Sequence, residues 1–137
     1  PELCLRLLRD DAVRAVCTPV VYGDAGGLGR VARELGWPEP EFVFDRAEWA
    51  HFGDAVEEPH VLDLNAVDVG AVAPGEVSAA CGAAAYRYFT QAIDDALAGE
   101  VDAIATAPLN KEALHAAGVP FPGHTEILAS RTNAARA

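Results

Sequence analysis

Positive charge is scarce in this chain: ten Lys and Arg stand against 21 Asp and Glu, a formal net charge of -11. Nucleic acid is excluded as a partner, because so acidic a surface repels its phosphates. An anionic small molecule can bind only where local donors outweigh that field. Cysteine is scarce too. Cys4, Cys17 and Cys81 are odd in number, widely spaced and free of any C-x-x-C pattern, as expected of three reduced core thiols in a reducing compartment. No apolar run approaches the roughly 18 to 20 residues that a membrane span needs. No basic-then-apolar leader is seen either, so the cytoplasm is the expected compartment. What the chain does have is apolar residues, 51% of its 137 positions. That is enough to bury a core in one modest domain, and it argues against disorder.

The segments alternate between two periods. Pro1-Glu2 runs straight into Leu3, Leu5, Leu7 and Leu8, as in the first turn of a helix, and nothing precedes it; the expectation is that upstream sequence belongs to the same protein. Residues 16–22 read as a strand ending at the Gly23-Asp24 turn. Leu28, Val31, Ala32 and Leu35 recur at helical spacing before Gly36. Residues 41–44 and 60–64 read as two further strands, with a polar, acidic surface excursion over 51–59 between them. A long helix is expected over 78–98, with Cys81, Ala85, Tyr88, Ala92, Ile93, Ala96 and Leu97 as its apolar stripe and its end marked by Gly99. Residues 101–105 form a continuous run of small apolar side chains, the pattern of a strand covered on both faces. Short helices are expected over 111–117 and 125–131. Alternation of this kind predicts an α/β fold with a mainly parallel sheet and helices on its faces. Ligands in such sheets gather at the carboxyl ends of the strands, here Gly23-Asp24 and the stretch from Thr106 onward.

Candidate chemistry is uneven. Gly27-Leu28-Gly29-Arg30-Val31-Ala32 matches a dinucleotide-binding pattern, with Asp45 near the end of the next strand. Its glycines sit several residues past the strand, however, so a glycine-rich start to a helix is the better reading. Asp24 could orient a ligand, or bond its own backbone or cap the following helix. His51, His60 and His115 show no H-x-x-x-H spacing and read as surface or structural residues, not metal ligands. Thr106-Ala107-Pro108-Leu109-Asn110-Lys111 is expected to deliver an amide, a hydroxyl and a lysine to a sheet edge within six residues. Lys111 there could hold a carboxylate or phosphate, or relay a proton as a candidate catalytic residue, or simply begin a solvated helix. Gly123-His124-Thr125-Glu126 follows a connector stiffened by Pro120 and Pro122. It sets an imidazole and a hydroxyl at a helix N-terminus, where unpaired N–H groups and the dipole favour an anion. The competing role for Thr125 is to cap that helix.

Gly75-Glu76-Val77-Ser78, the Ala-rich helix and the run from Ala98 to Ala129 resemble the 4-hydroxythreonine-4-phosphate dehydrogenase family, and Val20-Val21-Tyr22-Gly23-Asp24 fits its earlier part. The likeness spans nearly the whole chain and is most specific from Thr106 to Ala129. It implies an isocitrate/isopropylmalate dehydrogenase-like α/β fold, in a homodimer with its cleft near the subunit interface. The reaction it implies is oxidation of the hydroxyl of 4-phosphooxy-threonine by NAD (or NADP). The β-keto acid formed loses carbon dioxide, a step toward pyridoxal phosphate. A divalent metal such as zinc or magnesium, held by histidines, would polarise the hydroxyl oxygen. By this resemblance His124 and Thr125 bind substrate, and Asn110 and Lys111 lie in a motif of the same cleft.

The resemblance also implies what is not in these 137 residues. The family's metal ligands fall beyond Ala137, as do later substrate-binding residues and most of what holds NAD, so no cofactor-binding or metal residue is assigned here. A glycine-rich turn would precede Pro1. The expectation is therefore a partial α/β region, 1–137, of a longer two-domain dehydrogenase, inactive alone. Related substrates stay open: a phospho-threonate, a phospho-erythronate or a dihydrodiol carboxylate. So do a non-catalytic anion-binding module and an acyl-phosphate transferase on a related fold.

Overall fold

The computed structural model describes residues 1–52 and 55–134 and divides the chain into two compact units, Pro1–Asn65 and Ala66–Ala137. In the first, three parallel strands form a sheet in the order β1-β3-β2, with β1 Val20–Gly23, β2 Val43–Phe44 and β3 His60–Asp63. The register pairs Val21 and Val43 with Val61, and Tyr22 and Phe44 with Leu62. Neighbouring side chains on a strand point to opposite faces. Val61 thus joins Val21 and the buried Leu5, Leu28 and Ala32 of helices α1 (Glu2–Leu7) and α3 (Ala25–Leu35) on one face. His60 turns to the other, where its ring meets Phe44 and helix α4 (Arg46–Phe52) covers it with Trp49. The expected parallel sheet with helices on its faces is present, as a small one of three strands.

Local chemistry explains the differences from expectation. Asp10 accepts from the N–H groups of Ala12 and Val13, which starts helix α2 (Asp11–Arg14) and turns the chain through Cys17. Val16 is consequently 82% exposed, and the first strand begins at Val20, not Val16. Cys17 is exposed and Cys4 and Cys81 are half-buried, which corrects the expectation of three core thiols. The expected surface excursion over 51–59 overlaps the end of α4, and Gly53 and Asp54 lie outside the described residues.

The second unit is helical: α5 (Ala79–Ala98), α6 (Lys111–Ala116) and α7 (His124–Thr132), with a 3-10 turn at Val69–Ala71. Ser78 caps α5 by accepting from Cys81 N–H at 3.3 Å. Gly99 ends it in the left-handed region, at φ 80°, where a Cβ would be strained. Phe89, Ile93, Leu114 and Ile127 fill the core between the three helices. Gly82 brings α5 and α6 together, because a Cβ there would stand 1.9 Å from the Ala113 carbonyl oxygen. Residues 101–105 form no strand, which corrects the expectation. A strand exists only through a neighbour that takes up its N–H and C=O groups, and this run pairs with none among the described residues.

Candidate anion-binding site

The two stretches singled out by sequence meet in the second unit. Asn110 begins α6 from an extended conformation, and its side-chain oxygen accepts from Ala113 N–H at 2.9 Å. That bond occupies the oxygen in capping, so the amide N–H groups are the donors the side chain retains. Lys111, the only lysine in the chain, is exposed at the first helical position. Gly123 occupies the corresponding place before α7, fully extended at φ -179° and ψ -168°. It offers no side-chain cap, so the first N–H groups of α7 lack an acceptor of that kind. Thr125 does not cap the helix either. It stands exposed in the first turn, and His124 is the first helical residue rather than the residue before it.

Lys111 and α7 share one cleft of about 340 Å³, lined by Pro108, Leu109, Lys111, Gly123, His124, Thr125 and Glu126. Lys111 Cε lies 3.8 Å from where a Cβ on Gly123 would point. The His124 ring meets Phe89 of α5 edge to face, at 4.8 Å between centroids and 82° between planes. Burial lowers its pKa below the usual imidazole value. A neutral ring has one nitrogen to donate and one to accept, and neither makes a hydrogen bond among the described residues. Glu126 lines the same cleft, so an anion there must keep to the Lys111, His124 and Thr125 side. The arrangement can bind an oxyanion through an ammonium, a hydroxyl, an imidazole and helix N–H groups.

The other sequence candidates take structural roles. Gly27 and Gly29 lie inside α3, with Gly27 and Leu28 N–H bonded to the Asp24 carbonyl, as in a glycine-rich start to a helix. Asp45 caps α4, accepting from Ala47 and Glu48 N–H at 2.8 Å each. Asp24 is buried but makes no cap bond to α3. Asp63, one register step across the sheet, accepts from Ala25 N–H at 3.1 Å instead. His51 and His115 are exposed, and His60 is buried among aromatic rings. Among the described residues no three of His, Cys, Asp or Glu come together as a metal set. These residues alone do not fit a divalent metal. No helix among them is long and apolar enough to cross a membrane. Sequence reasoning missed Phe89, which lay outside the expected apolar stripe although it packs in the core three and four residues before Ala92 and Ile93, and Glu126, whose place in the first turn suggests only a dipole partner.

With this geometry in hand, the likeness to known proteins falls into place. The model of the family described as pyridoxal phosphate biosynthetic protein PdxA matches residues 15–137, and the chain belongs to that family. D-threonate 4-phosphate dehydrogenase of Pectobacterium atrosepticum is 54% identical over 97% of this chain and 40% of its own length. The enzyme of that name from Cupriavidus necator is 42% identical over 96% of this chain and 39% of its own. A 4-hydroxythreonine-4-phosphate dehydrogenase of Trichlorobacter lovleyi is 40% identical over 94% and 38%. Among solved structures, a 4-hydroxythreonine-4-phosphate dehydrogenase from Burkholderia phymatum superposes with a TM-score of 0.81 at 38% identity, covering 96% of this chain and 39% of that one. These relatives are dehydrogenases by name, and the chain spans about two-fifths of their length.

Proposed function

We propose that this chain carries the anion-binding part of a dehydrogenase that oxidises a hydroxyl of a phosphorylated four-carbon hydroxy acid with NAD (or NADP). The observation that carries the reading is the convergence of Lys111, His124, Thr125 and the uncapped start of α7 on one cleft. Lys111 supplies a point charge for a phosphate or carboxylate oxygen, a local donor set against the chain's acidic field. Thr125 and the α7 N–H groups add directed hydrogen bonds. Partial burial of His124 favours its neutral form, in which the ring offers a donor and an acceptor to the substrate's polar groups. Asn110 caps the helix that bears Lys111 and stands exposed next to that residue, without itself lining the cleft. Lys111 is also the candidate to relay a proton. The isocitrate/isopropylmalate dehydrogenase-like architecture, a longer two-domain chain, a homodimer, cytoplasmic location, and a divalent metal with most of the nucleotide contacts supplied by other segments belong to the same proposal.

Two substrates fit the family. The names of the 54% and 42% identical relatives favour D-threonate 4-phosphate, and that of the Trichlorobacter relative favours 4-hydroxythreonine 4-phosphate. Both present a phosphate, a carboxylate and an oxidisable hydroxyl, and they differ in the group beside the carboxylate. The test supplies each to the full-length protein with zinc or magnesium and NAD or NADP, and follows the reduced nicotinamide. Reduction with one of the two supports the reading and selects the substrate, and reduction with neither overturns it.

A further inference from the structure

The His124 ring makes no hydrogen bond among the described residues, and its one ring contact is the edge-to-face meeting with Phe89. An imidazole in that state has its nitrogens free for a ligand, but nothing polar sets its orientation. Phe89 is itself held firmly. It sits well inside the 20-residue helix α5, is 9% exposed, and packs with Ile93, Leu114 and Ile127. Ile127 lies on α7 three residues after His124, and Leu114 on α6 three after Lys111. One apolar cluster thus ties both elements of the cleft to the face of α5 that carries Phe89. Edge-to-face aromatic contacts favour a defined angle beyond simple burial, since ring edges are positive and faces negative.

We propose that Phe89 is a positioning residue: through its ring contact it fixes the orientation of the His124 imidazole toward the cleft shared with Lys111 and Thr125. The proposal rests on the substrate-binding reading of that cleft. Phe89 reaches no lining position itself and acts only through His124. The same contact keeps water from one side of the imidazole, in line with the burial that lowers its pKa. Lys111 and Glu126 are the charged groups lining the cleft on which His124 opens.

The test uses the full-length protein with ¹³C-labelled histidine. In the native protein, magnetisation transfer between the His124 and Phe89 rings is expected. In Phe89→Leu, the His124 titration should move up toward its ordinary value of 6.5, and KM for the phosphorylated hydroxy acid should rise about two- to tenfold. Phe89→Tyr, which keeps the ring, should restore both. An unchanged titration and KM in a folded Phe89→Leu protein overturns the proposal, as does a loss in Phe89→Tyr equal to that in Phe89→Leu. If Phe89→Leu does not fold, the native protein decides, since absence of transfer between the two rings also overturns it. His124→Ala is assayed beside these variants. A KM unmoved by it refutes the reading of the cleft, whereas the titration and ring-transfer results speak to Phe89 alone.

Discussion

Trp49 Nε1–H donates to His60 Nε2 at 3.0 Å, while His60 Nδ1 lies 2.8 Å from the carbonyl oxygen of Glu58. A carbonyl only accepts, so Nδ1 carries the proton and Nε2 receives the indole N–H. Both ring nitrogens of a residue 2% exposed are thereby used, and the ring is neutral by geometry. Burial lowers its pKa, and the bond to Glu58 opposes that only in part.

Acid should therefore weaken the first unit. The unfolded chain takes a proton on this imidazole near 6.5, and the folded chain only at lower pH. Between the two the unfolded state binds more protons, so stability is whole above about 6.5 and falls as pH drops through it. The loss levels off once folded His60 is itself protonated. In the second unit the lowered pKa of His124 acts in the same direction. Denaturation midpoints measured from pH 7.5 downward should show this decline, and His60→Gln should flatten it. An identical slope in His60→Gln would contradict the assignment.

Trp49→Phe keeps a ring against Tyr22, which meets Trp49 at 6.3 Å, but leaves His60 Nε2 buried without its donor. The cost should be about 1–3 kcal/mol, the usual penalty for an unsatisfied buried acceptor. Urea denaturation measures it, and a change below about 0.5 kcal/mol, the scale of ordinary surface substitutions, would show the bond to be incidental.

Gly82→Ala sets helix propensity against packing. Propensity alone would stabilise α5 by about 1 kcal/mol. A Cβ 1.9 Å from the Ala113 oxygen and 2.3 Å from its carbonyl carbon forces α6 outward. Overpacking of this kind costs about 1–3 kcal/mol. A net loss in thermal stability is expected, and a rise in Tm would mean that the helices are not in contact there.

Asn110 separates capping from binding. Asn110→Ala should destabilise by about 1 kcal/mol through loss of the bond to Ala113. Asn110→Asp keeps an acceptor, so stability should be retained. The new negative charge beside Lys111 should nonetheless raise KM for an anionic substrate, more so at low salt. Equal KM values for Asn110→Asp and the native residue would show that position 110 does not act on the bound anion.

Much of this was legible in the chain, for identifiable reasons. Ser78 and Gly99 bracket α5 because a side-chain acceptor and a residue free of Cβ are what helix ends require. The apolar runs of β1 and β3 show because strand burial writes itself into consecutive residues. Helix α4 shows no long apolar stripe, since Trp49 alone is buried in it. Its signal was reciprocal capping: Asp45 accepts from Glu48 N–H, and Glu48 from Asp45 N–H at 3.0 Å. The run at 101–105 carries a strand's composition, but a ladder depends on a neighbour that no local pattern specifies. In the cleft, His124 and Thr125 followed from the proline-stiffened approach to a helix start. Their meeting with Lys111 and Phe89 depends on packing across α5, α6 and α7, which spacing does not encode.

The most direct test of the central claim is the affinity of the full-length protein for its phosphorylated hydroxy acid with His124 intact and with His124→Ala. Loss of a hydrogen bond to a charged ligand should weaken binding by about 1–3 kcal/mol, roughly five- to 150-fold in Kd or KM. Unchanged Kd, KM and kcat in a folded His124→Ala protein would mean that the imidazole beside Phe89 does not touch the substrate.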